Sequence, residues 1–226
     1  MQAVQPVDSL IAEYVAGNLS LPVKVMVDAH MELVPEARRW AAELENAHGA
    51  SLETSEPLDL SSAEEMLSSI MDTPAQDFDD VVEPSVQSAL MPDDAYVASG
   101  NEVPKALHDY IGMTMDDVPW RIRMPGVRSY RLDDVDGCEV SLLRIKPGVA
   151  IPSHTHEGRE LTFVLQGAFD DGAGHYGRGD IAVADEHVDH QPVACEGEDC
   201  ICFVVTDAPL RFKSTLARIV SSILPN

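Results

Sequence analysis

The sequence has few basic residues for its length, and the shortage is strongest in the first hundred positions. The 226 residues include 15 Lys and Arg against 39 Asp and Glu, a formal net charge of −24. Residues 1–100 hold only three of the basic residues and 19 of the acidic ones, a net charge of −16. Such a chain repels phosphate backbones, which disfavours direct DNA binding. The charge favours a basic protein surface as partner, although it also serves solubility alone.

Long apolar runs and a disulfide framework are also missing. No segment reaches the ~18 apolar residues of a membrane span, and residues 1–9 lack the basic and then apolar stretches of a secretory signal. The four cysteines all lie in the C-terminal half, without the spacing of a disulfide scaffold: Cys138, Cys195, Cys200 and Cys202. We therefore expect a cytoplasmic protein with reduced thiols and no membrane partner.

Apolar residues at helical spacing occupy most of the first 75 positions. The first pattern predicts a helix that ends at Gly17. A second helical pattern follows Ser20, an expected N-cap, and is broken by Pro35. A further helix follows Ser61 or Ser62, with acidic residues placed as in a capping box. These signals predict a bundle of about four short helices.

After residue 112 the apolar period changes to two, which is typical of strands separated by turns. Four strands are predicted, namely Cys138–Lys146, Glu160–Gln166, Asp180–Ala184 and Asp199–Thr206. Short strands at this spacing indicate a sandwich or barrel. The predicted fold class is multidomain α + β, with a helical domain over 1–75, an acidic linker over 76–103, an all-β barrel over 104–212 and a helical tail over 213–226.

The strongest chemical pattern is Gly148-x5-His154-x-His156-x3-Glu160-x6-Gly167. Residues of the same parity share a face of an extended strand, so one strand could direct both imidazoles and the carboxylate at one point. Two imidazoles and a carboxylate are a metal-binding set, and one more ligand completes the site.

A second pattern, Gly179-x5-Asp185-x-His187-x2-His190, supplies candidates for that ligand. The two blocks resemble the two motifs of the cupin superfamily. The first matches G-x5-HxH-x3,4-E-x6-G at every defined position. The second matches G-x5-P-x-G-x2-H-x3-N at Gly179 and His190, whereas Asp185, His187 and Ala194 replace Pro, Gly and Asn. The resemblance implies a small β-barrel with a metal inside and His190 as the fourth ligand, and it leaves the role of His187 open.

Three imidazoles and one carboxylate suit Zn, Fe, Mn, Ni or Co, and we expect one divalent ion per chain, with Zn favoured. Cys200 and Cys202 fall two residues apart on a predicted strand, so both thiols face the same side. Two interpretations stay open for them: small core residues, or a redox-responsive pair near the metal. Cys138 and Cys195 give no signal beyond the first interpretation.

The order of acidic helices, linker and cupin resembles the ChrR family of anti-sigma factors, which restrain extracytoplasmic-function (ECF) sigma factors. Local resemblance lies in Leu10–Ser20, in the block from Gly179 to Pro192 and in Cys200–Phe212. The resemblance implies that the helices sequester an ECF sigma factor. It also implies that the metal-bound cupin is a sensory or stabilising module for oxidative-type stress.

One departure from this family concerns a second zinc site. Its zinc-containing members carry His-x3-Cys-x2-Cys in the second and third helices, and another His near the N-terminus. Here His30 is kept, but Val34 and Ala37 occupy the cysteine positions, and Gln5 or Pro6 stands near the first His position. One imidazole cannot hold a structural zinc. We therefore predict no N-terminal zinc and a hydrogen-bonded or partly buried His30.

Functions of other classes stay open beside the regulator. A metal-dependent cupin enzyme of the dioxygenase or isomerase type would use Glu157, Arg159 or His187 near the metal. A cupin that binds a small ligand is the third hypothesis. The acidic helices have no obvious use in an enzyme, which favours the regulator.

Overall fold

The computed structural model describes residues 6–56, 62–72, 102–156, 158–185, 190–206 and 210–212. By packing, the chain forms two compact units, one of residues 1–45 with 97–226 and one of residues 46–96. The predicted domain boundaries rest on composition and not on packing, and they stay a prediction. The tail expected to be helical over 213–226 lies outside the described residues.

The helices in the described part of the chain are α1 (Pro6–Val15), α2 (Leu21–Leu33), α3 (Pro35–Glu53), α4 (Ala63–Asp72) and α5 (Lys105–Ile111). Gly17 follows α1 with a φ of 71°, the left-handed conformation that often ends a helix. Pro35 starts α3 because its ring cannot continue α2. Ser20 occupies the N-cap position of α2, but its side chain makes no capping hydrogen bond and lies 3.4 Å from Cys138 Sγ. No helix in these ranges is long and apolar enough to cross a lipid bilayer.

The strands are β1 (Arg121–Met124), β2 (Val127–Arg131), β3 (Glu139–Ile145), β4 (His154–His156), β5 (Glu160–Gln166), β6 (Ala168–Asp170), β7 (His175–Gly177), β8 (Ile181–Ala184), β9 (Val193–Ala194), β10 (Cys200–Thr206) and β11 (Leu210–Phe212). They form a six-stranded sheet in the order β1-β2-β3-β10-β5-β8, a three-stranded sheet β7-β6-β9 and the pair β11-β4. The paired strands are antiparallel. The four predicted strands match β3, β5, β8 and β10 to within one residue at each end.

The expectation that one strand carries both histidines and the glutamate of the first motif is wrong. His154 and His156 lie in β4, which pairs with β11, whereas Glu160 begins β5, which lies between β10 and β8. Gly158 lies in a bend between the two strands, where the chain passes from one sheet to the other. Packing of the sheets, rather than parity along one strand, therefore brings His154 and Glu160 together.

The central strand β10 is buried along its whole length. Alternate side chains from Cys200, Cys202 and Val204 join a core that includes residues of the three-stranded sheet. The side chains between them join a second core, shared with buried residues of α1, α2 and α5. A strand that is covered on both faces needs apolar residues at successive positions, which explains the unbroken apolar run in this part of the sequence.

Hydrogen bonds also hold α2 in place within the unit of residues 1–45 and 97–226. The Glu32 carboxylate accepts hydrogen bonds from the backbone N–H groups of Lys105 (2.7 Å) and Ala106 (2.9 Å), at the start of α5. At the other end of α2, the backbone N–H of Leu21 donates to Asp136 Oδ2 at 2.9 Å. Hydrogen bonds to α5 and to the turn between β2 and β3 therefore hold α2 in place, in addition to its apolar packing.

Candidate metal centre

Three buried side chains meet between the sheets. His154 comes from β4, Glu160 from β5, and His190 forms an isolated backbone bridge with His154. One ligand atom from each lies within 4.8 Å of the others. The Nε2 atoms of the two histidines are 3.1 Å apart, and His190 Nε2 lies 3.8 Å from Glu160 Oε1. The structure therefore brings together three of the four side chains that the sequence predicts as ligands.

The outer nitrogens of both imidazoles face oxygen atoms. His154 Nδ1 lies 2.8 Å from the carbonyl oxygen of Pro152, and His190 Nδ1 lies 3.7 Å from Asp171 Oδ2. The carbonyl oxygen at hydrogen-bond distance favours the proton on His154 Nδ1, which leaves Nε2 of that ring as the ligand atom. The more distant Asp171 carboxylate places a negative charge beside the His190 ring. Both Nε2 atoms point to the same place, so this donor set fits a cation. Sequence reasoning missed Asp171, because no spacing pattern links it to the histidines.

The Glu160 carboxyl group is in an environment that disfavours its charge. Burial raises its pKa to about 7, against a smaller opposing effect of the Thr162 hydroxyl, whose oxygen lies 3.5 Å away. A buried carboxylate is costly unless a cation or donors compensate it. A divalent cation at the point where the two Nε2 atoms meet would supply that compensation.

Two predicted site residues lie outside this description. His156 is the last residue of β4, and its side chain is not among those described. His187 falls in residues 186–189, outside the described part of the chain. The observed geometry therefore concerns His154, Glu160 and His190.

The two thiols of β10 face the same side of the strand, with the sulfur atoms of Cys200 and Cys202 3.6 Å apart. Both side chains are buried, and Cys202 lines the metal cavity. The hydrogen bond with Cys200 and burial raise the pKa of the Cys202 thiol well above its usual range. Because oxidants react with the thiolate, this environment favours small core residues over a redox-responsive pair.

The cavity beside the three ligands has a volume of about 90 Å³. Pockets for small organic ligands usually measure about 300–1,000 Å³, whereas a water molecule takes about 30 Å³ of liquid. Among the described residues, the space beside these ligands has room for an ion and a few water molecules.

His30 of α2 is buried, and its Nδ1 lies 2.6 Å from the carbonyl oxygen of Gly179. Val34 and Ala37 pack with the core that the helices share with the sheet. Burial lowers the pKa of His30, so the neutral ring donates from Nδ1. Gly179 has a φ of 95°, and a Cβ there would meet Leu33 Cβ at 3.3 Å. His30 is thus hydrogen-bonded and buried, in agreement with the prediction.

Comparison with known proteins shows where this architecture recurs. Residues 108–209 match the family model described as the ChrR cupin-like domain. The chain is 39% identical to the anti-sigma-E factor ChrR of Cereibacter sphaeroides over 213 residues, which cover 94% of this chain and 93% of the relative. The chain belongs to the ChrR family of anti-sigma factors.

A solved structure supports the same assignment. The crystal structure of Rhodobacter sphaeroides SigE in complex with the anti-sigma ChrR matches with a TM-score of 0.65 and 34% identity, covering 88% of this chain and 96% of the matched chain. The resemblance to the ChrR family is therefore confirmed. The α + β fold class, with helices followed by an antiparallel cupin-like domain, is confirmed as well.

Proposed function

We propose that this chain sequesters an ECF sigma factor through its acidic helices, in the cytoplasm. Its cupin-like domain would hold one divalent ion as a sensory or stabilising module for oxidative-type stress. The observation that carries the proposal is the match to the ChrR chain of the SigE complex. Because that match covers 88% of this chain, it includes helices as well as the β domain. The net charge of −16 over residues 1–100 suits a basic partner surface.

The helix α4 offers an apolar surface to such a partner. Its four large apolar side chains are 51% to 76% exposed: Met66, Leu67, Ile70 and Met71. Acidic residues Glu64 and Glu65 lie in its first turn. Contiguous exposed apolar side chains mark interaction sites, and nearby charge steers association. This combination supports a protein partner with an apolar groove and basic rim.

A matched pair of variants on α4 tests the binding surface. Ile70→Glu places a charge on the apolar side, whereas Ser68→Glu adds the same charge to the polar side of the same helix. Burial of an Ile side chain contributes about 1.5–3 kcal/mol, so Ile70→Glu should weaken sigma binding about tenfold or more. Ser68→Glu should leave the affinity nearly unchanged. Equal effects of both variants in a titration with a purified ECF sigma factor would count against this surface.

For the metal, His154, Glu160 and His190 are the proposed ligands, and His156 completes the predicted set. When bound, the cation would supply the positive charge that offsets the buried Glu160 carboxylate. It would also join β4, β5 and the segment at His190, which belong to separate parts of the β domain. Zn is the favoured ion, and Fe, Mn, Ni and Co suit the same ligands.

Elemental analysis of purified variants tests this half of the proposal. His154→Gln should lose the ion and lower the thermal stability, because the ion links separate strands. His108→Gln is the matched control, since that histidine is about half exposed on α5. Equal metal content in both variants would show that His154 is not a ligand.

The enzyme hypothesis gains no support from the described residues. Arg159, one of the proposed assisting groups, has its Nη1 atom 3.6 Å from Glu13 Oε2 of α1. Glu157 and His187, the other proposed assisting groups, lie outside the described residues. The regulator is therefore the function that the observations favour.

A further inference from the structure

A second group of metal-ligating side chains lies on the three-stranded sheet, formed by Asp170, His175 and Cys195. His175 Nδ1 lies 3.0 Å from Asp170 Oδ1, and Cys195 Sγ lies 3.3 Å from Asp170 Oδ2 and 3.9 Å from His175 Nδ1. One ligand atom from each residue lies within 4.8 Å of the others. None of the three belongs to the cupin patterns in the sequence.

Backbone pairing holds these three residues side by side. Asp170 of β6 is directly opposite His175 of β7, and the N–H of Cys195, just after β9, donates to the carbonyl oxygen of Ala168 at 2.9 Å. Phe169, between Ala168 and Asp170, is buried in the core on the opposite face. The cluster therefore stands on the outer face of three paired strands, which fix its geometry better than a loop would.

The distances suit a tetrahedral cation. Zn²⁺ binds sulfur at about 2.3 Å, imidazole nitrogen at about 2.0–2.1 Å and carboxylate oxygen at about 2.0–2.2 Å, so its ligand atoms stand about 3.4–3.6 Å apart. His175 Nδ1 and Cys195 Sγ are 3.9 Å apart, close to that range, and each faces a different oxygen of the Asp170 carboxylate, Oδ1 at 3.0 Å and Oδ2 at 3.3 Å. Sulfur and imidazole ligands select zinc-class ions over Mg²⁺ and Ca²⁺.

We propose that Asp170, His175 and Cys195 form a second site for a divalent ion of the zinc class, on the surface and separate from the cupin site. Water takes the fourth position. Binding replaces the Cys195 S–H bond by a bond from sulfur to the metal and releases one proton to solvent. The site adds one ion to the single ion expected inside the cupin-like domain.

A reactive cysteine is the competing interpretation of this cluster. Partial burial and the hydrogen bond to Asp170 raise the pKa of the Cys195 thiol. The thiol therefore stays protonated near neutral pH, which disfavours a nucleophilic or oxidant-sensing role. The same feature makes metal affinity depend on pH, since the ion must displace a proton.

Cobalt titration of the reduced, metal-stripped full chain tests the proposal, because thiolate ligation of Co²⁺ gives a near-ultraviolet charge-transfer band. The wild type should bind two ions and show the band. Cys195→Ser should lose the band and one ion, and so should His175→Gln, whose exposed position makes misfolding a poor explanation. Cys138→Ser, a cysteine outside both sites, should keep both.

The cupin variant His154→Gln separates this proposal from the proposed function. It should lose one ion and keep the thiolate band, whereas Cys195→Ser should keep the ion inside the cupin-like domain. Affinity at the outer site should rise about tenfold per pH unit below the thiol pKa, because one proton is released. If the Cys195→Ser variant keeps the thiolate-to-cobalt charge-transfer band, or binds as many ions as the wild type, the proposal of a second site is wrong.

Discussion

The side chain of Asp171 connects the turn after β6 to the cupin site. Its Oδ1 accepts hydrogen bonds from the backbone N–H groups of Ala173 (2.9 Å) and Gly174 (3.0 Å), while Oδ2 lies 3.7 Å from His190 Nδ1. One oxygen of the carboxylate thus stabilises the turn, while the other lies beside the imidazole ring of His190. A negative charge beside a ligating histidine raises the basicity of the ring and so favours metal binding.

Replacing this carboxylate by an amide tests its influence on the metal. Asp171→Asn keeps an oxygen acceptor for the turn but removes the negative charge beside His190. Loss of such an outer partner typically lowers metal affinity about 10–100-fold, and we expect this range in a competition titration with a chelator. Asp116→Asn, at an exposed position before the strands, is the control. An unchanged affinity in Asp171→Asn would contradict the role given to this carboxylate.

The buried Glu160 predicts a pH dependence for the metal-stripped protein. Its pKa is about 7 in the fold against an ordinary 4.5, so the fold favours the protonated form. The contribution to stability is complete below pH 4.5 and is lost as the pH rises to about 7, a change of about 3 kcal/mol. Glu160→Gln should lack this loss. Denaturant titrations of both stripped proteins at the two ends of this range would contradict the prediction if their stabilities changed in parallel.

The motif residues were predictable from sequence because their spacing is distinctive, and the structure brings His154, Glu160 and His190 together. Asp171 and Cys195 were not predictable as parts of sites. Their neighbours come from other strands, and only the pairing of β6 with β7 and β9 shows which residues become adjacent.

At the scale of secondary-structure elements, the backbone after β5 passes close to the backbone before β10 at Gly167. This residue has a φ of 67°, and a Cβ there would lie 2.8 Å from the carbonyl oxygen of Asp199. The final position of the first cupin motif therefore requires glycine for a steric reason, because any side chain would clash with the backbone just before β10. The adjacent ladder between β5 and β10 shifts its register at the same end, between Ile201 and Cys202.

Two glycine substitutions separate the steric cost of the close approach at Gly167 from the cost of a left-handed backbone conformation. Gly172→Ala, at a φ of 86° with open space around it, should cost only the conformational penalty of about 1–2 kcal/mol. Gly167→Ala should lower the free energy of unfolding by about 1–3 kcal/mol more than Gly172→Ala does, since the added methyl group overlaps backbone atoms. Thermal or denaturant unfolding measures both, and similar losses would show that the approach to Asp199 is unimportant.

The strands were predictable from sequence to different degrees. The apolar alternation identified β3, β5, β8 and β10, because these strands have long apolar faces. It misassigned the first motif to one strand, because parity predicts a shared face but says nothing about a change of sheet. The short helix α5 was missed, since seven residues give too little helical period to detect.

At the scale of the whole molecule, α2 and the start of α3 carry the positions at which zinc-containing members of the family have a histidine and two cysteines, and for which we predict no zinc site in this chain. His30 Nδ1 lies 2.6 Å from the Gly179 carbonyl oxygen, and the apolar residues Val34 and Ala37 stand at the two cysteine positions. This packing joins the N-terminal helices to the turn before β8. The sequence shows that the two cysteines are absent, but only the three-dimensional packing shows which contacts His30, Val34 and Ala37 make.

Removing the His30 side chain should therefore affect stability and not metal content. His30→Ala leaves a buried carbonyl group without its donor, at an expected cost of about 1–3 kcal/mol in the free energy of unfolding. The number of ions per chain should stay the same as in wild type. Loss of one ion together with the histidine would contradict this assignment and indicate a zinc site in the helices.

The central claim is that this chain binds and sequesters an ECF sigma factor. The most direct measurement is calorimetric titration of the full-length chain with purified ECF sigma factors of its own organism, at low and at physiological salt. The account predicts a one-to-one complex with at least one of them, with an affinity that falls as salt screens the acidic helices. Absence of binding to every ECF sigma factor at low salt would contradict it.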